Sequence, residues 1–307
     1  MPLLTADAKG VYVISVTPFH PDGRIDFDSL DRVTDFYLEK GATGLTILGI
    51  MGEANKLTQA ESREVAQRVI ARANVPVVVG VSAPGLAAIT ELSASVMDMG
   101  AAGVMIAPPG NLRTDNQIVT YYTQACAAAG EGVPVVLQDF PLTTGVQIDP
   151  GTIRRIVDAL PQIVMLKHED WPGLAKITAL RKAEAAGGRR IAILCGNGGL
   201  FLPEEMGRGA DGAMTGFAYP EMLAQVVGLC AAGQADRAQD IFDAHLPLVR
   251  YEQQPGAGLA VRKYVLAKRG AIASEAQRNP GANLPAEARA EVDRMIARLE
   301  IRLKELG

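Results

Sequence analysis

The chain has 307 residues, 48% of them hydrophobic, with 30 basic and 34 acidic side chains and a formal net charge of −4. That supplies enough apolar material for one large domain with an extension, or for two smaller domains. The mild acidity and the interspersed Lys and Arg exclude the electrostatic footprint of a nucleic-acid binder.

Cys126, Cys195 and Cys230 are few, odd in number and widely spaced, which suggests neither a disulfide framework nor a thiolate metal site. His20, His168 and His245 lack metal-ligand spacing, and no GxxxxGK[ST] phosphate loop occurs, so no metal is expected. The first residues, MPLLTADAKG, do not read as a leader, and no run approaches 18 uninterrupted apolar residues. A cytoplasmic protein with no membrane partner is the expectation.

In chain order, eight short apolar runs rich in β-branched residues recur: VYVISVTPF (11–19), GLTILG (44–49), VPVVVGVSA (75–83), AGVMIAP (102–108), VPVVLQDF (133–140), IVMLKHED (163–170), RIAILCGN (190–197) and GADGAMTGF (209–217). The segments between them carry apolar residues three and four apart. In one of these, Thr58 stands three residues before Glu61, the spacing of a capping box. Apolar runs alternating with amphipathic helices read as parallel strands buried on both faces. Eight such units predict a closed (β/α)8 TIM barrel over residues 1–225 in preference to an open sheet. Beyond residue 218 only helical patterns remain, so residues 226–307 are predicted to form a C-terminal helical extension packed on the barrel, acting as a cap or an oligomer surface.

Active sites of such barrels lie at the C-terminal ends of the strands. After the second run, GLTILGIMGEAN makes a tight turn in which Gly49 and Gly52 let the backbone approach a ligand, and successive amides there could hold a carboxylate. An ordinary βα turn, with Glu53 bonded to its own loop, is the competing reading. After the fifth run, Gln138 and Asp139 point to opposite faces. An inward Gln138 could orient a substrate or could only bond the loop.

The sixth run, IVMLKHED, brings Lys167 out of four apolar residues. A cation is costly to bury there, which favours a neutral amine nucleophile. Alternation sets Lys167 and Glu169 on one face and His168, read as packing, on the other. The bland alternative is a strand-end lysine in an ion pair with Glu169. CGNGG (195–199), after the seventh run, is either a tight turn or an anion cradle.

Together these strand ends resemble the dihydrodipicolinate synthase and N-acetylneuraminate lyase family of Schiff-base barrels. The motifs cover most of the chain: TPF at 17–19, GIMGEA at 49–54 against the family's GTTGES, QDFPLTTG at 138–145 against YNxPxxTG, and LKHED at 166–170 against the lysine strand. CGNGG and GADGAMTG match the glycine-bearing ends of strands seven and eight. The resemblance implies a small 2-keto acid held as a covalent imine on Lys167 with no cofactor, its carboxylate resting on the amides of Gly49, Ile50 and Met51. It further implies Gly196, Asn197 and Met214 as substrate-binding residues, and a homotetramer.

The departures from the family bear on mechanism. Gln138 stands where the family has its catalytic tyrosine, Ile50 and Met51 replace two threonines, and Gly110 aligns with the tyrosine lent by a neighbouring subunit. A phenol with a pKa of about 10 can exchange protons with a substrate oxygen, and a glutamine cannot. Glu169 is left to manage protons, with Gln138 orienting hydroxyls. That pattern is expected to dehydrate a 2-keto-3-deoxy sugar acid, most simply a five-carbon one. Pyruvate-dependent aldol cleavage, deamination of a hydroxylated pyrroline carboxylate, and non-catalytic keto-acid binding are the alternatives.

Overall fold

The computed structural model describes residues 2–307. Eight parallel strands close into a barrel in sequence order, each pairing with its neighbour and the eighth with the first. They span Gly10–Ile14 (β1), Gly44–Ile47 (β2), Val77–Gly80 (β3), Gly103–Ile106 (β4), Val135–Asp139 (β5), Ile163–His168 (β6), Ala192–Cys195 (β7) and Gly212–Thr215 (β8). Every predicted run overlaps a strand, β1 starting one residue before its run, and the predicted closed barrel is what forms. Each strand is shorter than its run, because residues at the ends of the runs leave the ladder for the loops, those at the C-terminal ends building one end of the barrel.

Helices follow the strands and cover the outside: Phe27–Glu39 (α1), Gln59–Arg72 (α2), Leu86–Asp98 (α3), Asp115–Ala129 (α4), Pro150–Ala159 (α5), Leu174–Ala185 (α6), Leu202–Gly207 (α7) and Pro220–Ala231 (α8). The boundary expected between residues 225 and 226 lies inside α8. Three further helices follow, Ala235–Glu252 (α9), Gly258–Lys268 (α10) and Ala286–Leu306 (α11). At the start of α2 the Thr58 side chain accepts from the Glu61 amide while Glu61 accepts from the Thr58 amide, so the capping box forms. Among the described residues, no helix is long and apolar enough to cross a membrane.

Two apolar clusters divide the core. One joins the outward faces of the strands to the helices, through residues such as Leu45, Val104, Ile193 and Val226. The other fills the barrel interior with Tyr12, Ile14, Met105, Met165, Leu194 and Met214. Period-two alternation then carries β6 from interior Met165 to interior Lys167, and β5 from Val136 to Gln138. Gln138 and Lys167 are register partners on adjacent strands, and this register holds their side chains side by side.

The opposite faces of β5 and β6 carry a different cluster. Asp139 points outward and bonds Lys176 of α6 at 2.6 Å, and Lys176 reaches Asp170 at 2.7 Å. His168 is buried 3.9 Å from Asp139, with both ring nitrogens lacking a hydrogen-bond partner among the described residues. It packs under the barrel wall, as the sequence reading expected. Burial, with the Lys176 ammonium nearby, holds its imidazole down to about 4, and burial pushes the Asp139 carboxyl up to about 6 against the pull of Lys176.

A depressed histidine adds stability that is present above its unfolded value of about 6.5 and is lost as pH falls towards 4. The raised Asp139 acts in the opposite sense and offsets part of that loss. Replacing His168 by Asn therefore should flatten the decline. Comparison of urea unfolding at pH 7 and 4.5 is expected to give wild type an acid loss about 2–3 kcal/mol larger than His168→Asn; equal losses would remove His168 from the acid response.

Candidate active site

At the C-terminal end of the barrel a cavity of about 290 Å3 opens over Lys167. Lys167, Glu169 and Gln138 line it, only 5%, 6% and 3% exposed. One carboxylate oxygen organises them: Glu169 Oε2 accepts from Gln138 Nε2 at 2.7 Å and lies 3.0 Å from Lys167 Nζ. Both readings of the lysine strand are therefore present at once, an ion pair and an amine facing a cavity. The other oxygen, Oε1, accepts no hydrogen bond among the described residues. It lies towards Gly196, where a Cβ would collide with the Glu169 side chain. Gly196 thus makes room for Glu169 and does not itself line the cavity.

Asn197 lines the cavity and sits in the left-handed region at φ 48°, its Nδ2 donating to the Glu169 carbonyl at 3.0 Å. The next amide, Gly198, donates to Thr215 Oγ1 at 2.7 Å, tying the loop after β7 to the end of β8. Met214 is brought inside the barrel but is fully buried in the interior cluster; Thr215 and Gly216 face the cavity in its stead.

On the other side, Ile50–Gly52 forms one 3-10 turn after β2, closed by Gly52 and Glu53 amides donating to Gly49 and Ile50 carbonyls. The first amides of such a turn, those of Ile50 and Met51, receive no acceptor from the turn itself, and both residues line the cavity. Gly49 borders an adjoining cavity of about 380 Å3 that shares Ile50, Gln138 and Thr143 with the first. No side chain can project from position 110, because a Cβ there would stand 2.7 Å from the Thr144 carbonyl oxygen.

Glu53 does more than bond its own loop. It is buried at φ 55° and accepts from Lys263 at 2.6 Å, from Lys56 at 2.8 Å and from the Arg278 amide at 3.1 Å. Lys263 is fully buried and also donates to the carbonyls of Thr17 and Ala276, each at 2.9 Å. Burial lowers its ammonium to about 8, against the attraction of Glu53. The turn that presents the Ile50 and Met51 amides is thus clamped from beneath by α10 and the segment after it.

Sequence reasoning missed a further part of the wall. Glu252, Gln253, Leu259 and Arg262, from the end of α9 through α10, line the same cavity. Arg262 pairs with Glu252 through its Nε, and Glu252 also accepts from the Ala218 amide at 3.3 Å. The extension is therefore a piece of the cavity as well as a cap. In the sequence these residues fall in ordinary amphipathic helices, and only the juxtaposition of Glu252 and Arg262 on facing segments could have raised the possibility of a buried pair.

A closed β/α barrel that holds a buried lysine and a carboxylate in contact at an end cavity fits a lyase of the barrel type, and the family match shows that class. The chain belongs to the dihydrodipicolinate synthetase family, whose model matches residues 7–299. It is 30% identical over 300 residues to the L-2-keto-3-deoxyarabonate dehydratase of Azospirillum brasilense, covering 95% of this chain and 94% of that one. It is 32% identical over 246 residues to the 4-hydroxy-tetrahydrodipicolinate synthase of Sorangium cellulosum, covering 78% and 79%. Among solved structures, the dihydrodipicolinate synthase from Rhodopseudomonas palustris superposes with a TM-score of 0.96 at 59% identity, over 97% of this chain and all of that one.

Removing the Lys263 ammonium would leave the Glu53 carboxylate with Lys56 and one amide for compensation. Lys263→Met is expected to destabilise the fold by about 3 kcal/mol, near the lower bound for breaking a buried pair. Because the clamp holds the amide turn, KM for a 2-keto acid should rise more than kcat falls. Chemical denaturation and steady-state kinetics check both; an unchanged KM would uncouple the clamp from binding.

Proposed function

We propose that this enzyme dehydrates a 2-keto-3-deoxy sugar acid through an imine on Lys167, and that the substrate is a five-carbon acid such as L-2-keto-3-deoxyarabonate. The observation that carries this reading is the contact of Gln138 and Lys167 with one oxygen of Glu169, in a site where the family's tyrosine position is an amide. The likeness to the Azospirillum dehydratase over nearly the whole of both chains supports it.

In the proposed cycle, Lys167 attacks the C2 carbonyl as the neutral amine. Loss of water from the carbinolamine gives the iminium, with the substrate carboxylate held by the Ile50 and Met51 amides. The iminium acidifies C3, and Glu169, through the oxygen not shared with Gln138, removes a C3 proton. The enamine so formed expels the C4 hydroxyl, which leaves as water with a proton from Glu169. A proton then leaves C5 and one returns to C3, converting the hydroxymethyl end to an enol and on to an aldehyde. Hydrolysis of the imine releases 2,5-dioxopentanoate, with one net water lost. The imine is the electron sink, so the cycle calls for no cofactor.

Tetrahydrodipicolinate synthesis, the activity in the names of several relatives, requires proton delivery to an aldehyde oxygen. An amide at position 138 and a glycine at position 110 supply no proton for it. The same argument weighs against aldol cleavage.

Product analysis separates these outcomes. A 2-keto-3-deoxypentonate should yield the dioxo acid with neither pyruvate nor ammonia. Lys167→Ala should abolish turnover, and Glu169→Gln should lower kcat by about 10²–10⁴ while the imine still forms. Release of pyruvate, or full turnover by Glu169→Gln, would contradict the dehydration cycle.

A further inference from the structure

Two glycines at strand ends give their space to side chains from the extension. A Cβ built on Gly198, after β7, would overlap the Gln253 amide nitrogen, and one on Gly216, after β8, would collide with Arg262 Nη1. Gly198, Gly216, Gln253 and Arg262 all line the Lys167 cavity. At these two barrel positions, then, the polar groups beside the cavity come from α9, α10 and the segment joining them.

Arg262 is an unusual group to find there. Its side chain is buried, and while Nε is committed to Glu252, Nη1 is a buried donor with no acceptor among the described residues. Such a donor is costly to leave unpaired, a penalty that a ligand oxygen would relieve. The Gln253 amide also has no hydrogen-bond partner for its side chain among the described residues, and it offers both a donor and an acceptor.

Charge narrows what these groups can hold. The only cations lining the cavity among the described residues are Lys167 and Arg262, and each already faces a carboxylate, Glu169 and Glu252. A substrate carboxylate on the backbone amides adds one negative charge. A second anion, such as a phosphate or a second carboxylate, would meet no uncommitted cation and would carry an uncompensated desolvation cost. Hydroxyl groups carry no such cost.

We propose that Gln253 and Arg262 form the subsite for the part of the substrate distal to the keto acid, and that it takes an uncharged, hydroxylated tail and rejects a phosphorylated one. The proposal rests on the imine forming at Lys167, which defines the distal end. It makes the extension, and not the barrel loops alone, the element that selects among 2-keto acids.

The test uses ligands that cannot form an imine, so that it is independent of the chemistry. Calorimetry on the full chain compares 3-deoxypentonate, its 5-phosphate ester and 2-hydroxybutanoate, which lacks the tail. Wild type is expected to bind 3-deoxypentonate at least tenfold more tightly than 2-hydroxybutanoate, and the phosphate ester no better than the latter. Gln253→Ala and Arg262→Met should each remove most of the tenfold preference; if the Arg262 variant does not fold, Gln253→Ala carries the comparison alone. Equal or undetectable binding by wild type, a preference preserved in the variants, or tightest binding of the phosphate ester would overturn the tail subsite. A failure of the imine cycle would be read separately, from the products of turnover.

Discussion

The chemistry proposed for this molecule hangs on one shared carboxylate oxygen. Glu169 Oε2 meets the Lys167 amine and the Gln138 amide together, among side chains that are almost wholly buried at the barrel end. The Lys167–Gln138 juxtaposition requires β5 and β6 to be register partners at these two residues, and that register exists because eight parallel strands close on themselves. Gly196 is part of the same constraint, since any larger residue would push Glu169 away from the amine. With Oε2 held by the Gln138 amide and the Lys167 ion pair, Oε1 accepts no hydrogen bond among the described residues, and the proposed cycle uses that oxygen as both base and acid.

The helical extension completes what the barrel begins. The Glu53–Lys263 pair fixes the amide turn from below, and the Glu252–Arg262 pair closes the far wall. Both are buried ion pairs, which bring little net stability over apolar packing but are costly to break. Here the first ties the amide turn to a helix 210 residues away and the second joins consecutive helices of the extension, so the site depends on helices that follow the last strand.

Much of this was legible in the sequence, for a definite reason. Strand alternation has a period of two and is local, so LKHED alone sets Lys167 and Glu169 on one face and His168 on the other, and QDF separates Gln138 from Asp139. Even spacing of eight apolar runs favoured a closed barrel over an open sheet, and the strand order shows the closure. What could not be read was depth and distance. Met214, substrate-binding by the resemblance alone, lies fully buried in the interior cluster, since a motif match reports a position along the chain and not a depth. Glu252, Gln253 and Arg262 were invisible because Glu252 and Arg262 pair with each other and all three meet the barrel at the loops after β7 and β8, and a helix pattern says nothing of which barrel end it crosses. Glu53 looked like a loop residue because Lys263 is more than two hundred residues away.

The central claim is that Lys167, among the lysines of this chain, forms the covalent link to substrate. Lys176 and Lys263 are also buried, but each is fully engaged in bonds away from the cavity. Incubation with a 2-keto acid and borohydride, followed by intact mass and peptide mapping, tests this directly. The account requires the mass of one reduced keto acid on the peptide carrying Lys167; no added mass, or an adduct on Lys176 or Lys263, would contradict it.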